Sequence, residues 1–273
     1  MLTKKDIFRS LDGIGAPRRA PVIVHSAMRL LGEVEGGAHG FLDALIEYFT
    51  AEGGLLVVPT HTWDKIGCEK ITLDLTKAET NLGALSRVAL LDGRGIRSEH
   101  PTHSAVIFGE RGRALDFISG ERLAKTPTGV GGCYARLYDE GGAVLLVGVS
   151  QTANTYLHAL DEIIGKYDRI EEAPLSLAVR RESGEVCERE FYTFDESRGD
   201  LSYRCDKLSV AFRYHRAEKP FFIGEAPSLL CDARGMKETV ELIYSRSGDY
   251  DILSDERPLD PRLYVREKDG RRL

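Results

Sequence analysis

No stretch of this sequence is long and apolar enough to cross a membrane. The longest apolar runs are Leu55–Val58 and Ala143–Val149, the second broken by Gly148, whereas a membrane span takes about 20 residues. The segment MLTKKDIFRS at the start is charged but has no apolar stretch behind it, so it does not read as a secretory signal. Cysteine is sparse and unpatterned: Cys68, Cys133, Cys187, Cys205 and Cys231 are odd in number, far apart and without a CxxC pair. That excludes a disulfide scaffold and fits a reducing, cytoplasmic compartment. A basic excess is missing too, with 37 Lys and Arg against 43 Asp and Glu and a net charge of −6, which argues against a general nucleic-acid binder. No repeat, low-complexity tract or Pro/Gly/Ser linker divides the chain. The expectation is a single domain over residues 1–250 and a charged tail over 251–273 that carries Pro258 and Pro261.

What is present is a globular composition, 42% hydrophobic over 273 residues, enough to bury roughly 75% of the unfolded surface without a metal or disulfide staple. Residues 1–12 read as an amphipathic helix and Pro21–His25 as a buried strand. In Ala38–Thr50 the apolar positions Phe41, Leu42, Leu45, Ile46 and Phe49 recur at helical spacing. Glu52-Gly53-Gly54 ends that helix and Leu55–Val58 begins a second strand. A strand–helix–strand unit of this kind makes parallel neighbours. Leu82–Leu91, Leu115–Ser119, Ala135–Asp139, Thr155–Ile164 and Met236–Tyr244 read as helices, and Ala105–Phe108 and Val144–Val149 as strands. Beyond residue 170, Leu175–Arg181, Val186–Phe194 and Pro220–Ile223 read as antiparallel strands. The fold class is α/β: a three-layer α/β/α sandwich with a mixed sheet and an antiparallel C-terminal portion.

Three segments place chemically able side chains just after a strand, where open α/β sheets gather ligands. They are His25-Ser26, Thr60–Asp64 and Gln151–His158; a fourth, Arg97–Ser104, precedes a strand. On the helix after the third strand, Asn154 or Thr155 is suited to the N-cap. His158 has Asp161 and Glu162 three and four residues on, so they share a face. A carboxylate there could orient the imidazole while the helix N-terminus disfavours its positive charge, leaving a neutral base. The same spacing also describes an exposed helical ion pair worth about 0.3–0.5 kcal/mol. Seven histidines raise a metal-dependent hydrolase built on His25, His61, His100 and Asp64. His100-Pro-Thr-His103, however, cannot sit on one helix turn as HExxH does, and no metal is expected. The glycine-rich stretch Thr126–Gly132 lacks the P-loop lysine. Cys133 beside it has no histidine close in sequence and reads as inert. Trp63, the single tryptophan, is either core or the lining of a pocket.

These pieces, taken in order, resemble the aminoglycoside 3-N-acetyltransferase family, the antibiotic N-acetyltransferases. The resemblance runs from about residue 20 to 245. It rests on VIVHSAMRLLGEVEGG with the following helix and LLVVPTHTW, on NLGALSRVAL, on RSEHPTHSAVIFG, on TPTGVGGCYARLY with VLLVGV and NTYLHALDE, and on IGEAPSLLCDAR. Three departures stand out. Ala27 replaces the second serine of VHSS. Gly131-Gly132-Cys133 replaces GSP. The usual HxxE is His158 to Asp161, with Glu162 one place later. The resemblance implies acetyl-CoA as co-substrate and direct transfer to the 3-amino group of a deoxystreptamine aminoglycoside, a polycation, by a monomer or homodimer. It implies His158 as general base with Asp161 or Glu162 orienting it. It further implies His25, Ser26, Ser98, Ser104, Gly129 and Thr155 along the coenzyme, with Asp64 and Trp63 toward the acceptor. Two other readings stay open: an acyltransferase of the same fold acting on a different amine, and a coenzyme-A-binding module without catalysis.

Overall fold

A computed structural model of the chain describes residues 1–195, 197, 199–248 and 250–266. Its strands are β1 (Pro21–Ser26), β2 (Leu55–Pro59), β3 (Ile71–Asp74), β4 (Ile96–Arg97), β5 (Ala105–Phe108), β6 (Ala143–Val147), β7 (Leu175–Arg180), β8 (Val186–Phe191), β9 (Glu218–Ile223) and β10 (Ala226–Asp232). Its α-helices are α1 (Lys4–Ile14), α2 (Gly37–Thr50), α3 (Ala84–Leu91), α4 (Arg111–Phe117), α5 (Cys133–Asp139), α6 (Tyr156–Ile163), α7 (Ser209–Tyr214), α8 (Ala233–Ser247) and α9 (Pro261–Tyr264).

Local chemistry sets the ends of these elements. Thr3 and Asp6 form a capping box at the start of α1, and Gly15 closes it in the left-handed region, where glycine carries no Cβ penalty. Asp232 caps α8 by accepting from the Gly235 N–H at 2.6 Å.

Seven strands form one mixed sheet in the order β4-β5-β2-β1-β6-β10-β9. β1 and β2 are parallel, as the strand–helix–strand reading predicted, and β6 joins β1 in parallel on the other side. β5 joins β2 antiparallel, and β10 joins β6 antiparallel. The continuous apolar runs of the central strands follow from burial on both faces. Ile23, Val57, Val144 and Leu146 enter one core with α5, α6 and α8. Val22, Val24, Leu56, Val58 and Leu145 enter another with α1 and α2. A Leu145→Ala protein removes a fully buried side chain from an interior strand and is expected to lose about 2–5 kcal/mol of stability. Chemical denaturation reads this, and a loss below about 1 kcal/mol would contradict such packing.

The antiparallel portion expected after residue 170 is present: β7 pairs with β8, and β9 pairs with β10, a strand the sequence reading did not include. Periodicity missed β3, which joins β7 in parallel to make a second, three-stranded sheet. At four residues it is too short to show a period. Residues 251–266 lie on the body of the protein, with Ile252, Leu253, Leu259 and Tyr264 buried in the first core. Residues 267–273 of the expected tail fall outside the described residues.

Candidate active site

The ends of β1 and β2 and the loop after β6 surround a cavity of about 690 Å³. His25 and Ser26 end β1, and His61 and Trp63 follow β2. Thr155 and His158 enter from the start of α6, and all six residues line the cavity. The three segments picked out after predicted strands therefore meet, as ligand sites at carboxyl strand ends do. Thr155 stands at the N-cap position of α6 without a side-chain cap bond; the Asn154 side chain accepts from the Tyr156 N–H at 3.1 Å, and Thr155 lines the cavity wall.

His158 is half-buried. Its Nε2 lies 3.2 Å from the Ser202 hydroxyl, and the Phe194 ring packs on it at 4.7 Å between centroids. Burial, followed by the positive charge of Arg169, lowers its pKa to about 4, so the ring is neutral at pH 7. His25 is lowered to about 4 by burial alone, and its Nε2 is buried with no hydrogen-bond partner. His61 meets the Tyr134 hydroxyl at 2.6 Å, and its ring lies tilted against that of His103, 4.5 Å between centroids.

The carboxylate expected to orient His158 is engaged elsewhere. Asp161 accepts from Arg169 at 2.6 Å, and the same guanidinium also reaches Tyr244 and Asp251. Burial pushes the Asp161 carboxyl up while Arg169 pulls it back. Glu162 accepts from the Thr128 N–H and hydroxyl at 3.1 and 2.7 Å and from the Thr126 hydroxyl. A guanidinium and a backbone N–H satisfy buried carboxylates better than a helical neighbour that faces the cavity. Glu162 thus pins the glycine-rich segment, and neither carboxylate makes the expected contact with the base.

Other expected residues also lie off the cavity wall. Ser98 is fully buried and accepts from the Ala105 N–H. Ser104 is fully buried and donates to the Thr60 carbonyl at 2.8 Å. Both hydroxyls serve buried backbone or neighbouring side chains, which is why they are unavailable to a ligand here. Gly129 is not among the lining residues either. A Cβ there would come within 2.5 Å of the Thr126 hydroxyl, so it serves the close packing of its loop. Asp64 is exposed and absent from the lining, whereas its neighbour Trp63 lines the cavity with half its surface exposed. His100 braces the loop. Its Nδ1 accepts the N–H groups of Thr102 and His103, so Nε2 carries the proton and donates to the Thr126 carbonyl. Among the described residues, no three His, Cys, Asp or Glu side chains converge as metal ligands.

Sequence reasoning missed Arg169, Phe194, Asp200 and Ser202, all of which line the cavity. Arg169, Phe194 and Asp200 lie outside the helices and named strands and Ser202 in the short 3-10 helix Leu201–Leu208, none of them with a periodicity or motif to announce it. The rule that found the other segments, polar residues just past a strand, would have reached Thr193 and its neighbour Phe194 had β8 been ended at Phe191, but not Asp200, Ser202 or Arg169.

Five imidazoles, those of His25, His61, His100, His103 and His158, are all held below their ordinary value, with burial the first cause in each case. As pH falls below about 6.5 the unfolded chain takes up protons that the folded chain refuses. Stability is therefore complete above that pH and is lost on the way down toward 4, at up to ~1.4 kcal/mol per pH unit for each imidazole. The urea midpoint is expected to be clearly lower at pH 5 than at pH 7; a level or rising midpoint would contradict the burial.

Fold and site together define an α/β protein with a cavity at the carboxyl ends of its central parallel strands. The family model "aminoglycoside 3-N-acetyltransferase" matches residues 23–244. Aminoglycoside N(3)-acetyltransferase IX of Micromonospora chalcea is 28% identical over 228 residues, 77% of this chain and 78% of its own length. Aminoglycoside N(3)-acetyltransferase VII of Streptomyces paromomycinus is 28% identical over 221 residues, 74% of each chain. With aminoglycoside N(3)-acetyltransferase IV of a Salmonella species the alignment is 29% identical over 163 residues, 60% of this chain and 59% of that one. The crystal structure of a mutant aminoglycoside acetyltransferase AAC(3)-IVa in complex with a gentamicin superposes with a TM-score of 0.75 at 22% identity, covering 97% of this chain and 92% of that one. AAC-IIIb in its binary complex with CoASH gives 0.72 at 20% identity, covering 86% and 93%. The chain belongs to the aminoglycoside 3-N-acetyltransferase family, and with it to the acyltransferases.

Proposed function

We propose that this protein transfers the acetyl group of acetyl-CoA directly to an amine, the 3-amino group of a deoxystreptamine aminoglycoside, with His158 as general base. The observation that carries the reading is a neutral, half-buried imidazole on the wall of a cavity at the ends of the parallel strands. Family membership and relatives named as N(3)-acetyltransferases support the acetyl donor and the acceptor class. The chemistry asks for a base to take the amine proton, a donor to the developing thioester oxyanion, and both substrates held in line. In this reading Thr155, on the cavity wall, donates toward the thioester. The unpartnered Nε2 of His25 is suited to a polar atom of the coenzyme, with Ser26 beside it.

A second reading, an acyltransferase of the same fold acting on a less cationic amine, has one observation in its favour. Asp64, the carboxylate expected toward the acceptor, does not line the cavity, which leaves Asp195 and Asp200 as its acidic lining among the described residues and a smaller hold on a polycation than expected. Release of free thiol from acetyl-CoA, measured with gentamicin, neomycin, apramycin and a simple monoamine, separates the two. Turnover confined to the monoamine removes the aminoglycoside assignment, and no release with any amine removes both.

Direct transfer leaves no role for Cys133, which is fully buried with its thiol pushed well up by burial. A Cys133→Ala protein is expected to keep its turnover; an inactive but folded one would point to an acyl-enzyme.

A further inference from the structure

We propose that Ser202 is a catalytic residue of this site, its hydroxyl standing between the acceptor amine and His158 and passing the amine proton to the imidazole. The inference rests on the acetyl-transfer reading above and adds a residue to it.

Four observations carry it. Ser202 lines the cavity beside His158, and its Oγ is 3.2 Å from Nε2, within the reach that joins a hydroxyl to its base. The carboxylates one helical turn from His158 are tied to Arg169 and to the Thr126–Thr128 segment, so among the described residues the Ser202 hydroxyl is the polar side-chain group that meets the imidazole. The serine itself is held in place. Its backbone N–H donates to Asp200 at 2.8 Å, and Asp200 also lines the cavity, setting a negative charge next to the hydroxyl where an ammonium would arrive. The Phe194 ring on the imidazole limits its rotation and keeps Nε2 toward Ser202.

In this arrangement the neutral amine attacks the thioester carbonyl carbon and an N–C bond forms. The nitrogen gives its proton to the Ser202 oxygen as the Ser202 proton moves to Nε2 of His158. The C–S bond then breaks, and the same path returns a proton to the thiolate. The products are the amide and free coenzyme A, with Ser202 and His158 restored. For Nε2 to receive the proton, the neutral ring carries its own on Nδ1.

The test compares the wild type with Ser202→Ala and Ser202→Thr, using acetyl-CoA with gentamicin and with a simple monoamine. Ser202→Ala is expected to lower kcat by about 10²-fold, the lower end of what a positioned proton-transfer group contributes, with KM for acetyl-CoA little changed. Ser202→Thr, which keeps the hydroxyl, is expected to recover most of the rate. The decisive readout is rate against deuterium content of the solvent: curved for the wild type, where two protons move together, and linear for Ser202→Ala. An unaltered kcat, or the same curvature in both proteins, overturns the assignment while leaving acetyl transfer in place. An acetyl group found on Ser202 after incubation with acetyl-CoA alone also overturns it, by making the serine a nucleophile. Absence of amine-dependent thiol release from the wild type overturns both this proposal and the reading beneath it.

Discussion

A His158→Ala protein is expected to release free thiol from acetyl-CoA and an acceptor amine about 10²–10⁴-fold more slowly than the wild type, the range a positioned general base contributes. The side chain is half-buried beside a cavity and its polar contact is the Ser202 hydroxyl, so its loss strands no buried charge and the fold should survive. With His158 lowered to about 4 by burial and by Arg169, the imidazole can accept a proton at every pH above that value. The acid limb of the wild-type kcat/KM profile should therefore lie near pH 4 rather than near the ordinary imidazole value of about 6.5, wherever the protein remains folded. A folded His158→Ala protein with ordinary turnover would rule out the base assignment. An acid limb at the ordinary value in the wild type would show that the ring is far better solvated than this geometry allows.

The second large effect is expected at Arg169. Its guanidinium joins Asp161 on α6 to Tyr244 on α8 and to Asp251 beyond it, and both Arg169 and Asp161 are more than nine-tenths buried. Removing one partner of a buried ion pair leaves the other uncompensated, at a cost of about 3–5 kcal/mol. Arg169→Ala should approach that loss in denaturant unfolding. Pairing it with Asp161→Leu should recover part of it, because the second change removes the stranded carboxylate. A loss no larger than that of an exposed pair, about 0–1 kcal/mol, would show that the network contributes nothing. Because Arg169 also depresses His158, the residual activity of Arg169→Ala should show an acid limb moved upward.

The elements that were legible in the sequence are those where one physical signal dominates. Val144–Val149 read as a buried strand because its residues face apolar cores on both sides of the sheet, Val144 and Leu146 toward one and Leu145 and Val147 toward the other. The helix carrying His158 read from the stripe Leu157 and Leu160. Both are local patterns, fixed by the 2.0 and 3.6 residue periods of the backbone. The short β3 and the positions of Phe194 and Ser202 have no such period, and their places depend on what they pack against.

The site divides along the same line. Order along the chain was enough to bring His25, Ser26, Trp63, Thr155 and His158 to one cavity, because residues just past parallel strands share one edge of the sheet. It was not enough to pair the charges. Helical spacing offered Asp161 and Glu162 to His158, and the fold gave them to Arg169 and to Thr126 and Thr128 instead. A buried carboxylate goes to whichever cation or N–H can replace its lost water, and those partners came from segments 8 to 36 residues away along the chain. The sequence by itself determined the α/β class, the family and the edge of the sheet where chemistry could occur, since each is written in local periods and motif order. Which hydroxyl meets the base, and which carboxylates are left for a substrate, the tertiary structure alone decided, because desolvation and pairing are settled between residues that only folding brings together.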